Sequence, residues 1–193
     1  MKETNSTLIA ELGGTNASIV IAKNGRNVSK LKQYHMADFS SIDALLHKFF
    51  EETKQKTSKG IIGVAAPVTG EEIRFTNNSI QFNKKTLKDS TFPQGLKILN
   101  DLELQACALE DLDDKDLITI RGVKEEKKGS KVLISPGTGL GLAGIVDRKV
   151  VFTEGGHLNV PADSEDLNDI LKKFNEDKGR HATFEDLLSG KGI

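Results

Sequence analysis

Cysteine is all but missing from this chain. One residue, Cys107, stands among 193, which excludes an internal disulfide framework and any multi-cysteine zinc site. Tryptophan is absent and Tyr34 is the single tyrosine, so an aromatic stacking platform for single-stranded nucleic acid has little to build on. An excess of either charge is missing too. Lys and Arg total 27 against 28 Asp and Glu, a net charge of −1. Such a balance carries no electrostatic footprint for nucleic acid or an anionic membrane. No run of 18 apolar residues occurs, and the opening MKETNSTLIAELGG lacks the apolar stretch of a signal peptide. The expectation is a soluble, cytoplasmic protein that meets neither nucleic acid nor membrane. Apolar residues make up 37%, and the length suits one large domain or two small ones with a real core.

The pattern along the chain is α/β. Leu8–Leu12 and Ser18–Ala22 are strand-like runs around Gly13-Gly14-Thr15-Asn16, which reads as a hairpin. Asn24-Gly25 is a second turn signal, with a third strand over Val28–Tyr34. Ile42, Leu45, Leu46, Phe49 and Phe50 form a complete helical stripe, and Ser40 with Asp43 has the form of a capping box. Gly60–Ala66 and Leu96–Leu99 are further strands, and Arg74–Asn83 is polar with strand-like ends. Leu102–Leu112 reads as a helix with Ala106, Leu109 and Leu112 on one side. A charged passage over 111–128 separates two halves, giving domains at 1–110 and 111–193. The second half restarts with Lys131–Ser135, a glycine loop and Leu142–Val146. Asp147-Arg148 turns into Val150–Thr153, and Leu167, Ile170, Leu171 and Phe174 make another helical stripe. Thr183 with Asp186 resembles a capping box for a short final helix.

Four features can carry chemistry. The loops Gly13–Asn16 and Gly137-Thr138-Gly139-Leu140-Gly141 are either tight turns or anion-binding nests, since glycine reaches φ > 0 and leaves backbone N–H groups open. Neither is a Walker A motif or a Rossmann fingerprint. Asn100-Asp101 is either a helix cap or a carboxylate at the carboxyl end of a strand, placed to accept a hydroxyl proton. Glu154-Gly155-Gly156-His157 sets a carboxylate and an imidazole around two glycines, for a structural histidine or for one small ligand. Glu185 is a first-turn carboxylate of the last helix.

Taken in order, ELGGTNASIVIA, AAPVTGEEIRFTNNSIQFN, ILNDLELQACAL, PGTGLGLAGIV, EGGHLNV and FEDLLSGKGI resemble bacterial ATP-dependent glucokinases of the hexokinase/actin-like superfamily. The resemblance runs from Leu8 to Ile193. It implies an α/β fold of the actin-like, ribonuclease H-like ATPase type. It implies Asp101 as general base for the sugar 6-hydroxyl, with Asn100, Glu154, His157 and Glu185 on the other hydroxyls and Asn77 and Asn78 near the sugar. Gly13, Gly14, Thr15 and Asn16, with Gly137, Thr138 and Gly139, would clasp the ATP phosphates as two domains close on one cleft. Mg2+ accompanies the ATP, organised through water by Glu11. A homodimer is the family expectation. A single cysteine places the chain outside the zinc-bearing sister group, which leaves His157 for sugar.

Three substitutions depart from the family pattern: Glu11 for aspartate, Ser18 for a frequent arginine and Ile80 for a frequent aromatic residue. Family members also continue beyond the position of Ile193, so the expectation is a chain truncated at the C-terminus, with a complete small-domain core and a partial large domain. The leading reading is transfer of the ATP γ-phosphate to the 6-hydroxyl of glucose. The alternatives are a non-catalytic or truncated sugar-binding protein of the same fold, and an acyl-group kinase of the same superfamily.

Overall fold

In a computed structural model, residues 6–24, 27–75, 79–121, 129–190 and 192 are described. Asn77 and Asn78, Gly25 of the second turn signal, Lys191, Ile193 and residues 122–128 of the charged passage lie outside them. The chain divides into two compact units, Met1–Gln105 and Ala106–Ile193. The division falls inside a helix, a few residues before the boundary expected at 110.

The first unit is built on one mixed sheet. Its strands are β1 (Ser6–Leu12), β2 (Asn16–Lys23), β3 (Asn27–Val28), β4 (Lys32–His35), β5 (Lys59–Val64) and β8 (Gly95–Asn100). A small antiparallel pair lies apart from it, β6 (Glu72–Arg74) with β7 (Gln81–Asn83). The main order is β3-β2-β1-β5-β8, with β4 also on β2. β1 and β2 are antiparallel, as the glycine hairpin requires, while β1, β5 and β8 run parallel. Alternation along β1 is strict: Leu8, Ala10 and Leu12 are fully buried, and Ile9 and Glu11 are not. Helix α1 (Ile42–Thr53) lays Ile42, Leu45, Leu46 and Phe49 into the same core. Phe50 is only partly buried at its edge.

Local chemistry sets several boundaries differently from the sequence reading. Ser41, not Ser40, caps α1 by accepting from the Ala44 N–H at 3.1 Å, so no acid completes a capping box there. The strand expected over Val28–Tyr34 is two strands, β3 and β4. Helix α2 (Lys84–Thr91) was not anticipated. It buries only Leu87, and its start is set by Asn83 accepting from Thr86 N–H at 3.0 Å. Helix α3 (Asp101–Ala108) stops before Leu112, which is 40% exposed. The face it buries carries Leu102 and Ala106.

The second unit holds a three-stranded antiparallel sheet in the order β11-β10-β9: β9 (Lys131–Pro136), β10 (Leu140–Val146) and β11 (Lys149–Thr153). Register puts Val132, Ile134, Leu142 and Val151 on one face and Ala143 and Ile145 on the other. Ala143 and Ile145 are buried, whereas Val132 and Ile134 are more than half exposed. Among the described residues every large exposed hydrophobic side chain except Leu31 belongs to this unit. Helix α4 (Glu165–Lys178), capped by Ser164, follows the expected stripe but fully buries none of it. Helix α5 (Phe184–Leu188) has the expected capping box between Thr183 and Asp186. No described helix is long and apolar enough to cross a membrane.

Candidate functional site

Two clusters of polar side chains form, one in each unit. In the first unit they gather at the carboxyl ends of the parallel strands, where open α/β sheets offer ligand sites. β8 ends at Asn100 and α3 begins at Asp101, with Asn100 level with Val64 of β5. The Leu102 N–H is shared by Asn100 Oδ1 and Asp101 Oδ1, each at 3.0 Å. Both residues therefore anchor the helix start, and both hold fixed positions. Burial of Asp101 is the main cause raising its carboxyl pKa, and the nearby charge of Glu11 pushes the same way; the Leu102 N–H and the Asn100 side chain oppose them. A carboxylate desolvated in this manner binds a proton more readily than one in water.

Glu11 sits on β1 opposite Gly63 of β5. Gly63 has to lack a side chain, because a Cβ there would lie 2.6 Å from Leu104 Cδ2. Helix α3 thereby lies close over β5, and the Gln105 amide donates to Glu11 Oε1 at 2.6 Å. Sequence reading missed Gln105. The available signal was its spacing, four residues after Asp101 and so on the same side of the helix.

The Gly13–Asn16 loop closes the β1–β2 hairpin with Gly13 N–H donating to the Asn16 carbonyl at 2.9 Å. Thr15 and Asn16 are exposed. Gly137–Gly139 closes the β9–β10 hairpin, with Gly137 N–H on the Gly139 carbonyl at 2.8 Å. Positive φ among the described glycines is confined to Gly70, Gly95 and Gly179. No glycine of these loops lies in the left-handed region, and Gly139 leaves room for a close approach.

That approach is clearest in the second unit. A Cβ on Gly139 would lie 2.6 Å from Glu185 Oε2, and the same oxygen accepts from the Leu140 N–H at 3.0 Å. The Gly190 N–H donates to the Gly137 carbonyl at 2.8 Å, so both ends of α5 hold the loop. The turn Gly155–His157 lies on β10: a Cβ on Gly155 would lie 2.7 Å from Leu142, and one on Gly156 would collide with the Leu140 carbonyl. This tight seat presents His157 between two carboxylates. Its Nδ1 is 3.3 Å from Glu154 Oε2 and its Nε2 is 3.5 Å from Glu185 Oε2. Sugar hydroxyls both donate and accept, and two carboxylates around an imidazole answer both needs. Asp186, next to Glu185, is held by Arg180 through two bonds of 2.7 and 2.8 Å and by the Thr183 N–H at 2.9 Å. The Arg180 bonds hold its carboxyl well below the usual carboxylate range.

Among the described residues no three metal-ligating side chains converge. A protein cage for a cation is thus missing, but Mg2+ needs none when phosphates and waters supply its ligands and one carboxylate suffices.

A family model described as glucokinase matches residues 8–193. The chain is 31% identical to the glucokinase of Erwinia tasmaniensis over 98% of its length, covering 60% of that protein. It thus spans about 60% of the length of curated relatives it matches. Its fold matches the crystal structure of a glucokinase from an Antarctic psychrotroph with a TM-score of 0.84 at 24% identity, covering 97% of this chain and 62% of the other. A glucokinase from Balamuthia mandrillaris in complex with glucose matches at 0.72 and 19% identity, covering 98% and 60%.

Proposed function

The chain belongs to the glucokinase family, and from that premise we propose that it serves the transfer of the γ-phosphate of ATP to the 6-hydroxyl of glucose. The observation that carries this reading is Asp101, a desolvated carboxylate of raised pKa fixed at the first turn of α3. A general base works best when its proton affinity is brought toward the working pH. Asp101 takes the proton of the 6-hydroxyl as that oxygen attacks the γ-phosphorus, and the β–γ bridging oxygen leaves with ADP. Asn100, Glu154, His157 and Glu185 bind the remaining hydroxyls, with Asn77 and Asn78 as further sugar contacts. Gly13, Gly14, Thr15 and Asn16 with Gly137, Thr138 and Gly139 receive the phosphates of ATP. Mg2+ would supply charge neutralisation on those phosphates, and Glu11 would hold it through water. Positioning and charge stabilisation carry most of the catalysis in such transfers. Glucose and ATP are the proposed partners, the cytoplasm the proposed compartment and a homodimer the proposed assembly.

The test is a coupled assay for glucose 6-phosphate with Mg2+-ATP. Turnover that falls by about 10²–10⁴ in Asp101→Asn supports the base assignment. Unchanged turnover in that variant removes it. Glucose binding by calorimetry with no transfer favours a sugar-binding protein of the same fold.

A further inference from the structure

We propose that Gln105 is a positioning residue whose side-chain amide fixes the Glu11 carboxylate at the end of β1; the proposal rests on the kinase reading of Glu11 and Asp101. The contact joins residues 94 positions apart, Gln105 Nε2 to Glu11 Oε1 at 2.6 Å. A charge-assisted bond of this length is among the stronger ones a neutral donor makes.

Two further observations make the pairing a built feature. First, Glu11 and Gly63 are register partners on adjacent parallel strands. Leu104 covers the bare backbone of Gly63 while its neighbour Gln105 reaches Glu11. Second, Asp101 and Gln105 are four residues apart on α3, so one helix carries both the base and the clamp. The Glu11 side chain turns about several single bonds, and the Gln105 contact holds its carboxylate in one place. A neutral donor suits this task, because it orders the carboxylate without cancelling its charge.

The test uses the 193-residue chain with Gln105→Met, which keeps length and removes the donor, and Gln105→Glu, which keeps volume and adds a like charge. Two readouts are made. The first is the exchange of the Gln105 side-chain amide protons by NMR. Protons protected from solvent exchange that lose protection in Glu11→Ala support the proposal. Protons that exchange as in a free glutamine overturn it. The second is kinetic. Gln105→Met lowers kcat about tenfold with the glucose KM and the Tm held, Gln105→Glu lowers it further, and Gln105→Met costs nothing more once Glu11→Gln is present. Losses that add in the double variant, or a Tm that falls in step with kcat, mean a packing role and overturn the proposal. Absence of glucose phosphorylation in the unaltered chain overturns the kinase reading alone, and the amide measurement then decides the contact.

Discussion

Oε2 of Glu185 accepts a hydrogen bond from the backbone N–H of Leu140 at 3.0 Å, and the same oxygen lies 3.5 Å from His157 Nε2. One carboxylate thereby links the histidine of the Glu154–His157 turn to the end of the Gly137–Gly139 loop. Gly139 leaves the space for it. Gly139→Ala places a methyl 2.6 Å from that oxygen and must push the carboxylate aside. Loss of one charge-assisted bond is worth about 1.5–3 kcal/mol, so glucose affinity should weaken by about ten- to a hundredfold. Calorimetric titration with glucose checks this, and unchanged affinity means that Glu185 does not bind sugar.

Asp101→Asn should stabilise the fold while removing transfer. The folded-state pKa of Asp101 lies above its unfolded value. The folded state therefore holds its proton more tightly, and stability attributable to this group falls as pH rises through the unfolded and then the folded pKa. At neutral pH the charged form is a burden that asparagine lacks. Melting curves should show a higher Tm for Asp101→Asn at pH 7. The difference should close below the usual aspartate range, where both side chains are neutral.

Asp186 carries the opposite sign. Its folded pKa is depressed, chiefly by the Arg180 bonds. Its contribution is fully present above the unfolded value and is lost as pH falls through the folded one. Asp186→Asn should lower the Tm at neutral pH, and the gap should narrow on acidification. A gap that is flat with pH would mean that the charge of Asp186 contributes nothing.

Gly63→Ala should act on catalysis from beneath the helix. The new methyl meets Leu104 Cδ2 at 2.6 Å and Leu104 Cβ at 2.9 Å. Overpacking of this kind costs about 1–3 kcal/mol. Denaturant titration should register that loss. Because α3 carries Asp101 and Gln105, kcat should fall with it, and Leu104→Ala in the same chain should restore part of both.

Much of the first unit was legible because its signals are local and redundant. The α1 stripe and the β1 alternation each repeat one period over several residues, and one face of each is buried. Helix α2 was not legible, since a helix that buries a single leucine has no stripe to read. In the second unit the α4 stripe is present in the sequence and yet nothing in the structure covers it fully. The candidate site divides the same way. Asp101 and Asn100 stand out as a strand end. Gln105 does not, because its partner Glu11 lies 94 positions away on β1. The glycine loops close hairpins, as one of their two readings has it, and Gly139 is small because Glu185 comes close rather than because its backbone is left-handed.

The face of β9–β11 that carries Val132, Ile134 and Val151 has a practical meaning for anyone handling the protein. Contiguous exposed apolar surface promotes self-association. Among the described residues Val132 and Ile134 thus add exposed apolar surface beside that of Ile118 and Ile120. Lysine at positions 132 and 134 would raise the usable concentration and leave Glu154, His157 and Glu185 as they are.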